Sequence, residues 1–211
     1  MERGWGNRGR GLFAHGEATG AGGLRTMGSV PDGTSNTIAI SEALAAPNSA
    51  TEARNKIGIV VSAVTDLMTP QECANFRGAS GTLELRDGFT GRGRKGVRWA
   101  AAQLCFSGFT TTLPPNSISC AARDGGEWSI EDKAFITASS NHSGGVSVGL
   151  LDGSVRFVSD SIQVANQSER EISRAGVTFN LLNNSAFSGA SPYGVWGALG
   201  SIDGGESATL P

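Results

Sequence analysis

His142 and Asp152 are the residues that most invite a chemical reading. The aspartate is followed by Gly153, and nine residues separate it from the histidine. An imidazole beside a carboxylate is the base-and-orienter half of a hydrolytic triad. The intervening segment decides whether the two can meet. Val146, Val148 and Leu150 alternate with Ser147 and Gly149, the period of a half-buried strand. Asp152-Gly153 predicts a two-residue type I′ turn, because Asp tolerates positive φ and Gly accepts it freely. That turn pairs Leu151 with Ser154, Leu150 with Val155, Gly149 with Arg156 and Val148 with Phe157. Val146, Val148, Leu150, Val155 and Phe157 then share one apolar face and build a core. Asp152 falls at the hairpin tip and His142 near its open end, about 30 Å away at about 3.3 Å per residue. The pair is therefore not expected to share a catalytic site. His142 is expected to hydrogen-bond a loop at the sheet edge.

Other reactive arrangements are thinly supplied. No Gly-x-Ser-x-Gly string is expected on a strand-to-helix turn, and His15 and His142 are the only histidines, so a serine hydrolase has few bases to draw on. It would need a nucleophile, His142 and a carboxylate converging in one pocket. The three cysteines, Cys73, Cys105 and Cys120, form no Cys-x-x-Cys pair, which argues against structural zinc. Asp124-Gly-Gly-Glu127 and Asp203-Gly-Gly-Glu206 could offer oxygens to calcium, but without the dense Asp spacing of a strong site; ordinary turns are the favoured reading. Asp32 reads as a turn or cap residue rather than a ligand. Trp99, Trp128, Trp196 and Tyr193 could form a sugar-binding platform, although burial in a small core is favoured, and their exposure discriminates the two. The run Arg92-Gly-Arg-Lys95 is short and reads as a solvated loop rather than a phosphate site.

These residues must be held by a chain of 211 residues, 38% hydrophobic, with 31 glycines. Its length suits one domain, and its glycine favours turns and short strands over long helices. A net charge of −2 argues against nonspecific nucleic-acid binding. No run approaches the roughly 18 apolar residues of a membrane span. Residues 1–30 form a glycine-rich, loop-like segment, and 31–211 a single globular domain. Strands are expected at 37–41 (with a short helix through Glu42 as rival), 57–64, 97–102, 109–113 and through the 146–159 hairpin. Thr69-Pro70-Gln-Glu72 predicts a short helix ending near Gly78: Thr as N-cap, Pro at the first position, Glu in the first turn. Residues 163–190 read as a variable insert, and 193–199 as a final strand or helix. The class is α+β.

Four blocks, in order, carry a family resemblance. They are Asp32-Gly-Thr-Ser-Asn-Thr-Ile-Ala-Ile-Ser-Glu42, Leu113-Pro-Pro-Asn-Ser-Ile-Ser-Cys120, His142 to Asp152-Gly153 with Ser154-Val-Arg-Phe-Val-Ser-Asp-Ser-Ile162 after it, and Ser191-Pro-Tyr-Gly-Val-Trp-Gly-Ala-Leu-Gly200 with Gly204-Gly-Glu206. Together they resemble the planctomycete-type prepilin-like proteins with a C-terminal His-X9-Asp-Gly motif, the DUF1559 type. The resemblance implies a pilin-like antiparallel sheet with short helices and long loops. The leader and long N-terminal apolar helix of such proteins are absent from this chain, which is expected to be the globular part. The resemblance further implies a non-enzymatic, extracytoplasmic structural protein in the periplasm or at the cell surface. Its partners would be other pilin-like subunits or secretion-system components, and it would reach a membrane only through the missing helix. His142, Asp152 and Gly153 would be structural motif residues, with no catalytic or cofactor-binding residue and no metal beyond an occasional loop calcium. Cys73 and Cys120 fall at recurrent family positions and imply a disulfide; Cys105–Cys120 is the rival pair. The alternative function is a cell-surface module that binds polysaccharide or a partner protein.

Overall fold

The computed structural model describes residues 11–13, 26–48, 52–53, 55–62, 69–78, 84–101, 104–124, 127–128, 134–165, 168 and 190–205. Most of the glycine-rich segment with His15, most of the 163–190 insert, and Glu206 lie outside them. Among these residues the architecture is α+β: two sheets of short strands with three short α-helices and a 3-10 turn at Met27–Ser29.

The first sheet is antiparallel and joins β1 (Ile38–Ser41), β8 (Gly145–Leu150) and β9 (Val155–Ser159) in the order β1-β8-β9. β8 and β9 form the expected hairpin, but its register is one residue away from the expected one. Gly149 lies opposite Val155, Val148 opposite Arg156, Ser147 opposite Phe157 and Val146 opposite Val158. The reason is the turn. The Leu150 amide donates to the Ser154 carbonyl and the Gly153 amide to the Leu150 carbonyl. Gly153 has a φ of 87°, while Asp152 has no positive φ. The loop is thus three residues, Leu151 to Gly153: a type I turn closed by a left-handed glycine, not a two-residue type I′ turn. A one-residue slip changes which side chains face inward. Val146, Val148, Leu150 and Val158 are buried, whereas Val155 is 67% and Phe157 54% exposed. The expectation that Val155 and Phe157 build the core is corrected accordingly. On that outer face Ile40 crosses Gly149, where a Cβ would stand 2.7 Å from Ile40 Cγ1, so the glycine admits the close approach.

The inner face of this sheet packs with Ile38 and Ala138 against Trp196 and Leu199 of α3 (Gly194–Gly200). Each such large apolar side chain contributes about 1.5–3 kcal/mol on full burial. The 193–199 segment is therefore helical.

The second sheet runs β2 (Glu52–Ala53), β4 (Gly91–Arg92), β3 (Ile59–Ser62), β5 (Ser119–Asp124), β6 (Glu127–Trp128), with β7 (Ala134–Phe135) also on β5. β3 and β5 are parallel, the other pairs antiparallel; the parallel pair departs from a wholly antiparallel expectation. Ile59, Ala121, Ala134 and Ile136 pack on Leu104, Cys105 and Phe106 of α2 (Leu104–Ser107). α1 (Pro70–Ala74) opens as expected, with the Thr69 hydroxyl accepting the Glu72 amide at 3.1 Å and the Glu72 carboxylate accepting the Thr69 amide at 2.6 Å. It ends earlier than Gly78 because Arg77 already bridges to Leu85.

Two expected strands are absent. Residues 97–101 form turns. Thr110 to Leu113 is fully buried without strand pairing, and the Thr110 amide and hydroxyl both bond the Ile136 carbonyl. The Thr110 hydroxyl also accepts the Ile136 amide at 3.2 Å, so this one side chain satisfies a backbone group that a strand ladder would otherwise pair.

Candidate functional site

The polar centre of the molecule is the junction between the two sheets. Glu42 follows β1 and receives His142 from the loop before β8: Nε2 of His142 lies 3.1 Å from Oε1 of Glu42, and the second carboxylate oxygen accepts the Ser147 amide at 2.7 Å. The Glu42 backbone also pairs with Ser147 and Ser139. His142 thus makes the edge bond expected of it, to a residue a hundred positions away, and its own amide donates to the Ser140 hydroxyl. Asp152 is at the other end of the hairpin. Its carboxylate accepts the Ser154 amide at 2.9 Å, and hydrogen bonds from the Ser154 hydroxyl and amide hold it below the usual carboxylate range. The motif's histidine and aspartate are not brought together.

Behind Glu42 and His142 lies a buried arrangement that the sequence did not announce. Asn116 sits in the left-handed region, φ 59°, directly after Pro114-Pro115. Its amide nitrogen donates to the Gly145 carbonyl and to Asp160, and its oxygen accepts the Ser140 amide and Lys56 Nζ. Lys56 also donates to the Ser140 carbonyl. Lys95 is 1% exposed, and its Nζ donates to the carbonyls of Lys56 and Thr137 and to the Ser139 hydroxyl. Three acceptors match its three protons. Burial, together with the nearby Lys56 charge, lowers its pKa to about 7. The reading of Arg92-Gly-Arg-Lys95 as a solvated loop is corrected at Lys95. Backbone carbonyls form its cage, and a sequence does not show where carbonyls will converge.

Glu42, Ala43, Leu44, Ser139, Ser140, Asn141 and His142 line an open depression of about 350 Å³. Ser139 and Lys95 stand 3.1 Å apart, the spacing of a serine–lysine pair, but Ser139 exposes none of its surface and its oxygen also accepts the Leu44 amide. Ser140 donates its hydroxyl to the Gly145 carbonyl. The His142 ring faces Glu42 rather than a serine. These groups hold loops in place; nothing in their geometry presents a nucleophile to a substrate.

The remaining candidates resolve individually. Cys73 on α1 and Cys120 on β5 form a disulfide, with Cα atoms 5.8 Å apart, and Cys105 is buried and takes no part in it. Both Asp32 oxygens accept amides of the C-terminal loop, from Gly204 at 2.7 Å and Gly205 at 2.9 Å. That loop therefore turns N–H groups, not oxygens, toward its carboxylate neighbour. This is a latch, unlike a calcium shell. No group of three His, Cys, Asp or Glu residues converges among the described residues. Trp196 is buried and donates its indole N–H to the Leu113 carbonyl at 2.9 Å, and Tyr193 is buried, whereas Trp99 is 88% exposed.

The model of the family described as "Protein of unknown function (DUF1559)" matches residues 5–165. The chain belongs to that family. Neither a curated protein nor a solved structure matched it.

Proposed function

We propose that this chain is the globular part of a prepilin- or pseudopilin-like subunit, a non-enzymatic extracytoplasmic structural protein that assembles with other pilin-like subunits or secretion-system components. One observation carries the reading. The four blocks behind the family resemblance are spent on one another. Asp32 latches the loop at Gly204 and Gly205, Glu42 holds His142 and Ser147, Asn116 ties Gly145 to Asp160, and Trp196 bonds Leu113. Residues used in this way specify a scaffold rather than a reaction.

Two further features support it. The disulfide suits an oxidising compartment. The outer face of the three-stranded sheet, with Ile40, Val155 and Phe157 exposed, offers an apolar surface to a helix or a neighbouring subunit. No helix among the described residues is long and apolar enough to cross a membrane, so attachment in this reading runs through a helix outside them. Fractionation of the native host followed by non-reducing peptide mapping tests the placement. The expected result is the linked Cys73–Cys120 peptide pair in the extracytoplasmic fraction. Three reduced thiols in the cytoplasmic fraction would overturn it.

A further inference from the structure

We propose that Lys56 and Asn116 form an intramolecular isopeptide cross-link, with Asp160 as the proton carrier. Three segments bring these side chains to one point. Lys56 lies in the turn before β3, where the Gly58 amide donates to the Asn55 carbonyl at 2.9 Å and Lys95 Nζ donates to the Lys56 carbonyl at 3.2 Å. Asn116 follows Pro114-Pro115, and its backbone amide donates to the Ala138 carbonyl at 2.8 Å. Asp160 follows β9, and its backbone amide donates to the Gly144 carbonyl at 2.9 Å. Each segment is thus pinned by its own backbone. Lys56 Nζ stands 3.2 Å from Asn116 Oδ1, hence within one carbonyl bond, about 1.2 Å, of that distance from Cγ. An amine held so near a carbonyl carbon reacts at a high effective concentration.

The Asn116 carboxamide is set for attack. Its oxygen accepts the Ser140 amide at 2.9 Å, and its nitrogen donates to the Gly145 carbonyl at 3.2 Å and to Asp160 Oδ1 at 2.8 Å. A backbone donor on one side and a backbone acceptor on the other fix which end is oxygen and which nitrogen. The Ser140 N–H polarises the carbonyl and stabilises the charge that develops on Oδ1. Asn116 is 2% exposed, so water, the competing nucleophile, has little access to Cγ. Lys56 is half-buried and sheds one proton to solvent; its neutral Nζ then adds to Cγ. Both nitrogens now sit on one carbon. The Asp160 carboxylate, already bonded to Nδ2, takes a proton from Nζ and gives it to Nδ2. The Cγ–Nδ2 bond breaks and ammonia leaves. One amine and one carboxamide become one secondary amide and one ammonia, with no change of oxidation state. The link joins residues 60 positions apart and, unlike the Cys73–Cys120 disulfide, resists reductant. The proposal goes beyond filament assembly and is read on the purified chain alone.

Intact-mass measurement and peptide mapping of the full chain, folded and then reduced, test it. The expected result is a mass lower by one ammonia than the sequence requires, and a branched peptide joining Lys56 to Asn116 that trypsin does not cut after Lys56. Lys56→Arg and Asn116→Ala should keep the full mass. Asp160→Asn keeps an oxygen for Nδ2 but cannot carry the proton, and should slow linkage about 100-fold at an unchanged circular dichroism spectrum. The proposal is overturned if the folded wild type keeps its full mass after prolonged incubation, or if Asp160→Asn links as fast as wild type. It is also overturned if the ammonia is lost within the Asn116-Ser117 peptide while Lys56 stays unlinked, which is succinimide closure.

Discussion

At the scale of single residues, the buried charge at Lys95 and the carboxylate of Glu42 organise the junction. Lys95 titrates from 10.5 in the unfolded chain to about 7 when folded. Between those values the unfolded state binds more protons, so stability rises with pH from about 7 toward 10.5 and the full cost of charging the buried amine is felt below 7. Thermal melts should show the melting temperature climbing across that window in wild type, and the climb should flatten in Lys95→Met. An identical slope in the variant would remove the burial argument. Glu42 and His142 are unequal partners. Their ring-to-carboxylate contact is half solvent-exposed, so His142→Ala should cost less than about 1 kcal/mol. Glu42→Ala also strips the Ser147 amide of its acceptor and should cost about 1–3 kcal/mol. Urea denaturation of both variants checks the order. Neither residue's partner was legible, since a hundred positions separate them and no local pattern spans that distance.

At the scale of elements, the hairpin shows how far a pattern reaches and where it stops. The alternation of Val146, Val148 and Leu150 placed the strand and its buried face correctly. The Asp152-Gly153 pair placed the turn. What the pair left open was loop length: the same two residues can be the whole of a two-residue loop or the last two of a three-residue one, and that single residue moved Val155 and Phe157 to the surface. The observed register predicts that Val158→Ala costs roughly 2 kcal/mol and Phe157→Ala stays within about 0.5 kcal/mol; the register expected from a type I′ turn predicts a large cost at Phe157. Gly153→Ala meets no atom within 4 Å and should lose roughly 1–2 kcal/mol through its left-handed backbone alone. Equilibrium denaturation resolves all three. α1 was readable because its capping box is entirely local, four residues from Thr69 to Glu72. Residues 109–113 were not, because their β-like composition serves side-chain hydrogen bonds to a distant loop.

At the scale of the whole molecule, the family blocks are the points where separate parts of the chain are fastened. The disulfide joins α1 to β5, the strand that pairs with β3, β6 and β7, across 47 residues. On a chain-entropy estimate it is worth about 4 kcal/mol, so reduction should lower stability by about 2–4 kcal/mol, measured by denaturation with and without reductant. The latch at Asp32 and the clamp at Asn116 fasten other parts by hydrogen bonds. The fold is thereby made rigid at its joints and leaves its distinctive surfaces outside: an apolar sheet face and the turn of Trp99. Assembly into a filament is the central claim for such a body, and immunogold labelling of cells and of material sheared from their surface, with antibodies against this chain, tests it most directly. Gold along surface or periplasmic filaments, with the chain sedimenting alongside them, is the expected result. Diffuse cytoplasmic label, with the chain absent from sheared and periplasmic material, would contradict it.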